Sequence, residues 1–115
     1  MLPKDNRLKK KMDFTRIYRK GQSYSTLYLW IKVLPNRLDH NRIGFVVSRK
    51  VSKKAVTRNQ IKRRLRFLMR SYLPLISPGY DIVLTGRREI IKKSYQEVSQ
   101  TLHKLLQKTQ LLIKQ

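Results

Sequence analysis

An α+β sandwich, one small mixed sheet packed with helices, is the fold class that the sequence predicts. Three observations lead there. Apolar stripes at helical spacing occur over residues 13–20, 55–73 and 94–112. Short β-branched and aromatic runs at 22–35, 43–47 and 80–85 lie between them. Turn residues separate the two kinds of segment. The order reads α-β-β-(β)-α-β-α, and residues 1–115 suit a single domain.

Residues 1–11 are basic and are expected to be flexible until a partner binds them. Phe14, Ile17 and Tyr18 then fall at i, i+3, i+4, a helical stripe that Gly21 can cap. From Tyr24 to Leu34 the aromatic and β-branched residues read as strand. Within it Tyr28 and Trp30 alternate with Leu29 and Ile31, so one set faces the core and the other is free to line a cleft. The alternation alone does not say which. Pro35-Asn36 opens a loop, and Ile43–Val47 is a short strand apolar enough to be buried. A basic connection leads into a long helix from Ala55 to Leu73, ended by Pro74. Pro78-Gly79 is a turn before the strand Tyr80–Thr85. Ser94-Tyr95-Gln96-Glu97 has the form of a capping box, followed by an apolar stripe through Val98, Leu102, Leu105, Leu106 and Leu112.

Charge bounds the function. The chain has 28 Lys and Arg against 6 Asp and Glu, a formal net charge of +22. Self-repulsion on that scale makes sense when the partner is a polyanion. Apolar residues still make up 40% of the chain, enough for a small core. With no Cys there is no disulfide, Cys-ligated zinc or Cys nucleophile. The six acids are scattered, and only His40 and His103 are histidines, so no catalytic group is expected in the protein and no protein-borne metal site is assigned. His40 reads as a loop residue and His103 as a helix residue. The N-terminus lacks the apolar stretch of a signal peptide, and no run reaches the roughly 20 apolar residues that span a bilayer. A cytoplasmic protein without a membrane partner is the expectation.

The segment from Arg58 to Arg70 is the most informative. On a helix, Ile61, Leu65, Leu68, Met69 and Tyr72 share an arc of about 100° that faces the core. Asn59, Arg63, Arg66 and Arg70 share an arc of about 60°, roughly 130° away, with Arg58 and Lys62 near the boundary. A charge run is ordinarily a solvated face, but solvated faces mix signs for i, i+4 pairing, and this helix holds no acid. Unpaired guanidinium groups in a row suit phosphate oxygens, which Arg meets with a bidentate fork. Asn59 fits either an N-terminal cap or an amide that contacts RNA.

Ala55-Val56-Thr57-Arg58-Asn59-Gln60-Ile61-Lys62-Arg63, followed by Arg66, resembles the signature of the protein subunit of bacterial ribonuclease P. That family typically shows Ala-x-x-Arg-Asn-Arg-x-Lys-Arg, so Gln60 is a departure where Arg is usual. Asn6-Arg7-Leu8-Lys9, Asp13-Phe14, Gly44–Lys50 and Tyr80–Val83 resemble other parts of the family, and the likeness covers residues 6–86. It implies a fold like one domain of a small-subunit ribosomal protein, with a left-handed β-α-β crossover. It implies that the chain is a subunit of an endoribonuclease whose catalytic centre is in RNA, which removes the 5′ leader from precursor tRNA with magnesium held mainly by the RNA. The partners are then the RNA subunit and precursor tRNA, with no obligate protein partner. By the same resemblance Arg58, Asn59, Lys62, Arg63, Arg66 and Arg70, with Arg49 and Lys50, contact the RNA subunit. Phe14 and Tyr18 match aromatic positions of a cleft for the single-stranded leader, and Lys10 and Arg16 are placed to track its backbone. Unpaired bases stack on aromatic rings for about 1–3 kcal/mol each. The alternative is a ribosomal or other structural RNA-binding protein with no processing role. Sparse acids argue against a stand-alone nuclease, and three strands are superfluous for a membrane-active peptide.

Overall fold

The structure, a computed structural model, describes residues 2–113. Its helices are α1 (Lys11–Lys20), α2 (Ala55–Tyr72) and α3 (Tyr95–Thr109). Its strands are β1 (Gln22–Ser25), β2 (Leu29–Pro35), β3 (Arg42–Val47) and β4 (Tyr80–Gly86), joined in one sheet of order β1-β2-β4-β3. β2 runs antiparallel to β1 and β4, while β3 and β4 are parallel. Parallel neighbours need a crossover, and α2 supplies it between β3 and β4. The α+β class and the order of elements agree with the sequence reading.

Side-chain alternation divides the sheet into two working faces. On one, Leu29, Ile31, Ile82 and Leu84 are sealed from water by Leu65 and Met69 of α2 and by Leu102, Leu105 and Leu106 of α3. Each such side chain contributes about 1.5–3 kcal/mol on leaving water, so the weight of the core lies on this side. On the other face a smaller cluster joins Ile17 of α1 to Val83 and Leu8, with Phe14, Leu34 and Val46 packed around it. Gly44 is there because α1 is close: a Cβ on it would stand 2.5 Å from the Phe14 ring.

Two local readings are corrected. The run from 22 to 35 is a hairpin rather than one strand. Thr26 closes it, its amide donating to the Leu29 carbonyl at 2.8 Å and its hydroxyl accepting from the Leu29 amide at 3.2 Å. Tyr28 thereby leaves the face of Trp30 and turns toward α3, where its hydroxyl donates to the Glu97 carbonyl at 3.0 Å and also meets the Thr101 hydroxyl. Of residues 1–11, expected to be flexible, Met1 lies outside the described residues, Lys11 opens α1, and the stretch through Leu8 lies along β3. Arg7 bridges in parallel to Ile43, the Leu8 amide donates to the Ile43 carbonyl at 3.0 Å, and Leu2 and Leu8 are buried. β3 is an edge strand, and its free backbone groups account for this pairing. Gly21 caps α1 as expected, its amide donating to the Ile17 carbonyl. Its φ is −72°, and the constraint is space, since a Cβ would meet the Ile17 carbonyl oxygen at 2.5 Å.

The remaining punctuation agrees with expectation. Ser94 and Glu97 form the reciprocal capping box of α3, and Gly79 turns at φ +96°. One difference is that the last helix ends at Thr109, so Leu112, expected in its stripe, lies beyond it as a bridge partner of Ile76.

Candidate RNA interface

α2 buries Ile61, Leu65, Leu68 and Met69, which fixes its rotation on the sheet. That rotation leaves Asn59, Arg63, Arg66 and Arg70 exposed and Arg58 and Lys62 half-buried at the margin. Arg58 donates from Nη1 to the Ser52 carbonyl at 2.9 Å, so it braces the connection before the helix. Arg49 and Lys50 are exposed in the turn that opens this connection, closed by the Val51 amide on the Ser48 carbonyl at 3.0 Å. Asn59 is the fifth residue of α2, inside the helix, so the capping alternative falls away; Lys54 takes the cap position. The Arg66 guanidinium lies 5.9 Å from the centre of the Phe45 ring, a cation–π approach at the β3 edge.

None of the cations of α2 is ion-paired with a carboxylate among the described residues. Five of the six acids, all but Asp5, are engaged elsewhere. Asp39 pairs with His40, Glu89 with Lys92, and Glu97 with Lys93. Asp81 is fully buried and receives four donors. Its Oδ1 accepts from Arg42 Nε at 2.8 Å and Asn36 Nδ2 at 2.9 Å. Its Oδ2 accepts from Arg42 Nη2 at 2.7 Å and Arg16 Nη2 at 3.2 Å. Asp13 completes the network with Arg16 at 3.1 Å and Arg42 at 3.4 Å. Burial pushes the Asp81 carboxyl up, but Arg42, Asn36 and Arg16 outweigh it and hold the carboxyl below its ordinary value. Arg16, assigned to the leader from sequence, is therefore half-committed to clamping α1 onto the sheet.

The second surface lies on the α1 face. Tyr18 and Trp30 stack with centroids 6.5 Å apart and planes at 29°. Lys32 Nζ stands 5.9 Å from the Tyr18 ring centre and 5.4 Å from that of Trp30, and it donates to the Tyr18 carbonyl at 2.5 Å. The Arg87 guanidinium covers Trp30 from 5.5 Å. Burial raises the Tyr18 hydroxyl above its ordinary value, against a hydrogen bond with Thr85, so the ring is neutral at physiological pH. Phe14 does not join this group. It is half-buried over Gly44 and lines a groove with Arg7, Lys9, Phe45 and Arg66. Lys10 is exposed at the N-terminus of α1. Lys32 and Arg87 are absent from the residues assigned by sequence. Alternation puts Lys32 on the face of Trp30, so it was readable; Arg87 follows β4 and reaches Trp30 only through the tertiary fold.

Among the described residues no group of three or more His, Asp or Glu side chains stands together as a cation site, and no helix is long and apolar enough to cross a membrane.

Fold and surface together define a small cationic α+β protein with an unneutralised helix on one sheet face and an aromatic–cation cluster on the other. The ribonuclease P family model matches residues 2–110. The ribonuclease P protein component of Pseudanabaena sp. is 43% identical over 113 residues, covering 97% of both chains. That of Picosynechococcus sp. is 45% identical over 105 residues, covering 91% of this chain and 90% of the other. The RNase P protein of Staphylococcus aureus superposes with a TM-score of 0.86 at 30% identity, over 93% of this chain and 97% of the other. That of Thermotoga maritima gives a TM-score of 0.80 at 32% identity, over 89% and 96%. The chain belongs to the ribonuclease P protein family and is the protein component of that endoribonuclease.

Proposed function

We propose that the chain holds the ribonuclease P RNA along α2 and takes the single-stranded 5′ leader of precursor tRNA on the α1 face. Cleavage then belongs to the RNA, with magnesium bound mainly there, and the assembly works in the cytoplasm. The observation that carries the reading is the row of α2 cations with no carboxylate partner among the described residues. Each guanidinium or ammonium that meets a phosphate releases condensed counterions, which gives affinity without sequence preference. Arg63, Arg66 and Arg70 supply forks on the exposed arc, Lys62 flanks them, and Asn59 adds a neutral amide. Arg49 and Lys50 extend the positive surface toward β3. Gln60 offers hydrogen bonds but no charge, so the row lacks one phosphate-neutralising group of the family pattern.

On the other face, Tyr18 and Trp30 offer rings to bases while Lys32, Arg87 and Lys10 offer charge to the backbone. Phe14 and Arg16 serve this surface mainly by holding α1 in place. Reconstitution tests the assignment. Protein, RNA subunit and precursor tRNA together should give magnesium-dependent removal of the leader, and protein without the RNA should give none. Robust cleavage by protein freed of contaminating nuclease overturns it.

A further inference from the structure

We propose that Phe67 and Tyr95 form a stacking platform for an unpaired nucleobase of the RNA subunit, on the flank of the α2 cation row. The inference rests on the reading of α2 as the face that holds that RNA.

Phe67 belongs to neither arc of α2. It lies about 40° from Arg63 and about 60° from Arg64 around the helix. Its side chain is 66% exposed, although a Phe ring normally gains stability by leaving water. Tyr95, the first residue of α3, is 42% exposed and stands beside it, with ring centroids 6.4 Å apart and planes at 52°. The Ser94–Glu97 capping box fixes the start of α3, and α2 is packed along its apolar arc, so both rings are mounted on ordered elements. A shallow groove lined by Ile61, Leu65, Ile90 and Val98 continues from the Tyr95 ring, with Arg64 at its side.

Charge selects the occupant. Arg63, Arg64 and Arg70 lie within one turn of Phe67 and have no carboxylate partner among the described residues. Lys93 also lines the groove, but its ammonium is engaged elsewhere, 5.3 Å over the Tyr28 ring and 3.9 Å from Glu97. An apolar protein surface docked on Phe67 would strip water from three unpaired guanidinium groups with nothing to replace it. A polynucleotide supplies phosphates for them and a base for the ring. The platform lies on the α2/α3 face of the sheet, opposite the Tyr18–Trp30 cluster, so the nucleotide comes from the RNA subunit rather than from the leader.

The test compares F67A, F67L and F67W with the double variant R63A/R66A, measuring affinity for the RNA subunit across a salt series and a thermal melt for each. F67A should bind about 5- to 150-fold more weakly with an unchanged salt slope, because a base is lost but no phosphate contact. F67W should bind like the parent, and F67L, which keeps apolar bulk without a π-face, like F67A. R63A/R66A should lose both affinity and slope. F67A binding like the parent while R63A/R66A is weakened overturns the platform and leaves the α2 reading standing. Parental behaviour of both overturns the platform and that reading together. Rescue by F67L, or a loss confined to precursor tRNA, also overturns it. Should F67A melt early, F67L against F67W decides.

Discussion

Asp81 shows how one residue can place a binding surface it never touches. Its position in register with Arg42 across β3 and β4 allows a bidentate pair, and Arg16 and Asp13 carry the network into α1. Because α1 presents Tyr18, the clamp sets the distance between Tyr18 and Trp30. Its stability has a definite sign with pH. The Asp81 carboxyl is held below its ordinary value in the folded protein, so its contribution is complete above the unfolded value of about 3.9 and is lost as pH falls through the folded value. D81N should cost about 3 kcal/mol at pH 7, since it removes the bidentate partner of the half-buried Arg42 and leaves it only the longer contact with Asp13. Urea denaturation at pH 7 and at pH 3 checks this. The gap between parent and variant should narrow at pH 3; an equal gap at both would assign the loss to packing alone.

At the scale of elements, α2 was legible because one periodicity governs two arcs: the apolar arc that fixes rotation also dictates which cations are left outside. Arg63 and Arg66 lie off that arc and are exposed, so R63A/R66A should leave the melting temperature nearly unchanged. It should weaken binding of the RNA subunit and flatten the log–log salt dependence by about 0.7–0.9 per lost contact. An unchanged slope returns the row to an ordinary solvated face. The α1 surface was only half legible. Phe14 and Tyr18 share a helical stripe, but the sheet divides them, taking Phe14 onto Gly44 and leaving Tyr18 to Trp30. The hairpin was hidden because β1, Gln22–Ser25, holds a single strand former in Tyr24 and so merges with the strong strand signal of β2, and the turn at Thr26 carries neither Gly nor Pro. The docking of the stretch through Leu8 was hidden because it depends on β3 being an edge, a property of sheet order that local sequence does not contain. Y18A tests the surface. It should weaken precursor tRNA by up to about 1–3 kcal/mol and leave mature tRNA, which has no leader, nearly unaffected. Parallel losses for both RNAs in a destabilised protein would instead make Tyr18 a packing residue.

At the scale of the whole molecule, a net charge of +22 sits on a body with a Cα radius of gyration of 13.3 Å. At about 0.1 M salt the Debye length is about 10 Å, so charges on neighbouring elements still feel one another. The ion pairs gathered around Asp81 and along α3 involve few of the cations, and the repulsion among the others opposes the compact state. Added salt screens that repulsion and should raise the folding stability. The same salt competes for RNA phosphates and should lower affinity for the RNA subunit. The two dependences therefore have opposite signs from one cause. Melting the free protein and titrating it with the RNA subunit across the same series, from about 0.05 to 0.5 M salt, reads both. In the complex the RNA itself neutralises the cations. Its stabilising effect adds to folding by mass action, and that increment should shrink as salt weakens binding. The melting temperature of the free protein should thus climb with salt while that of the complex climbs less or falls. A free protein whose stability drops steadily with salt would mean that its internal ion pairs, not its excess charge, dominate the folded state.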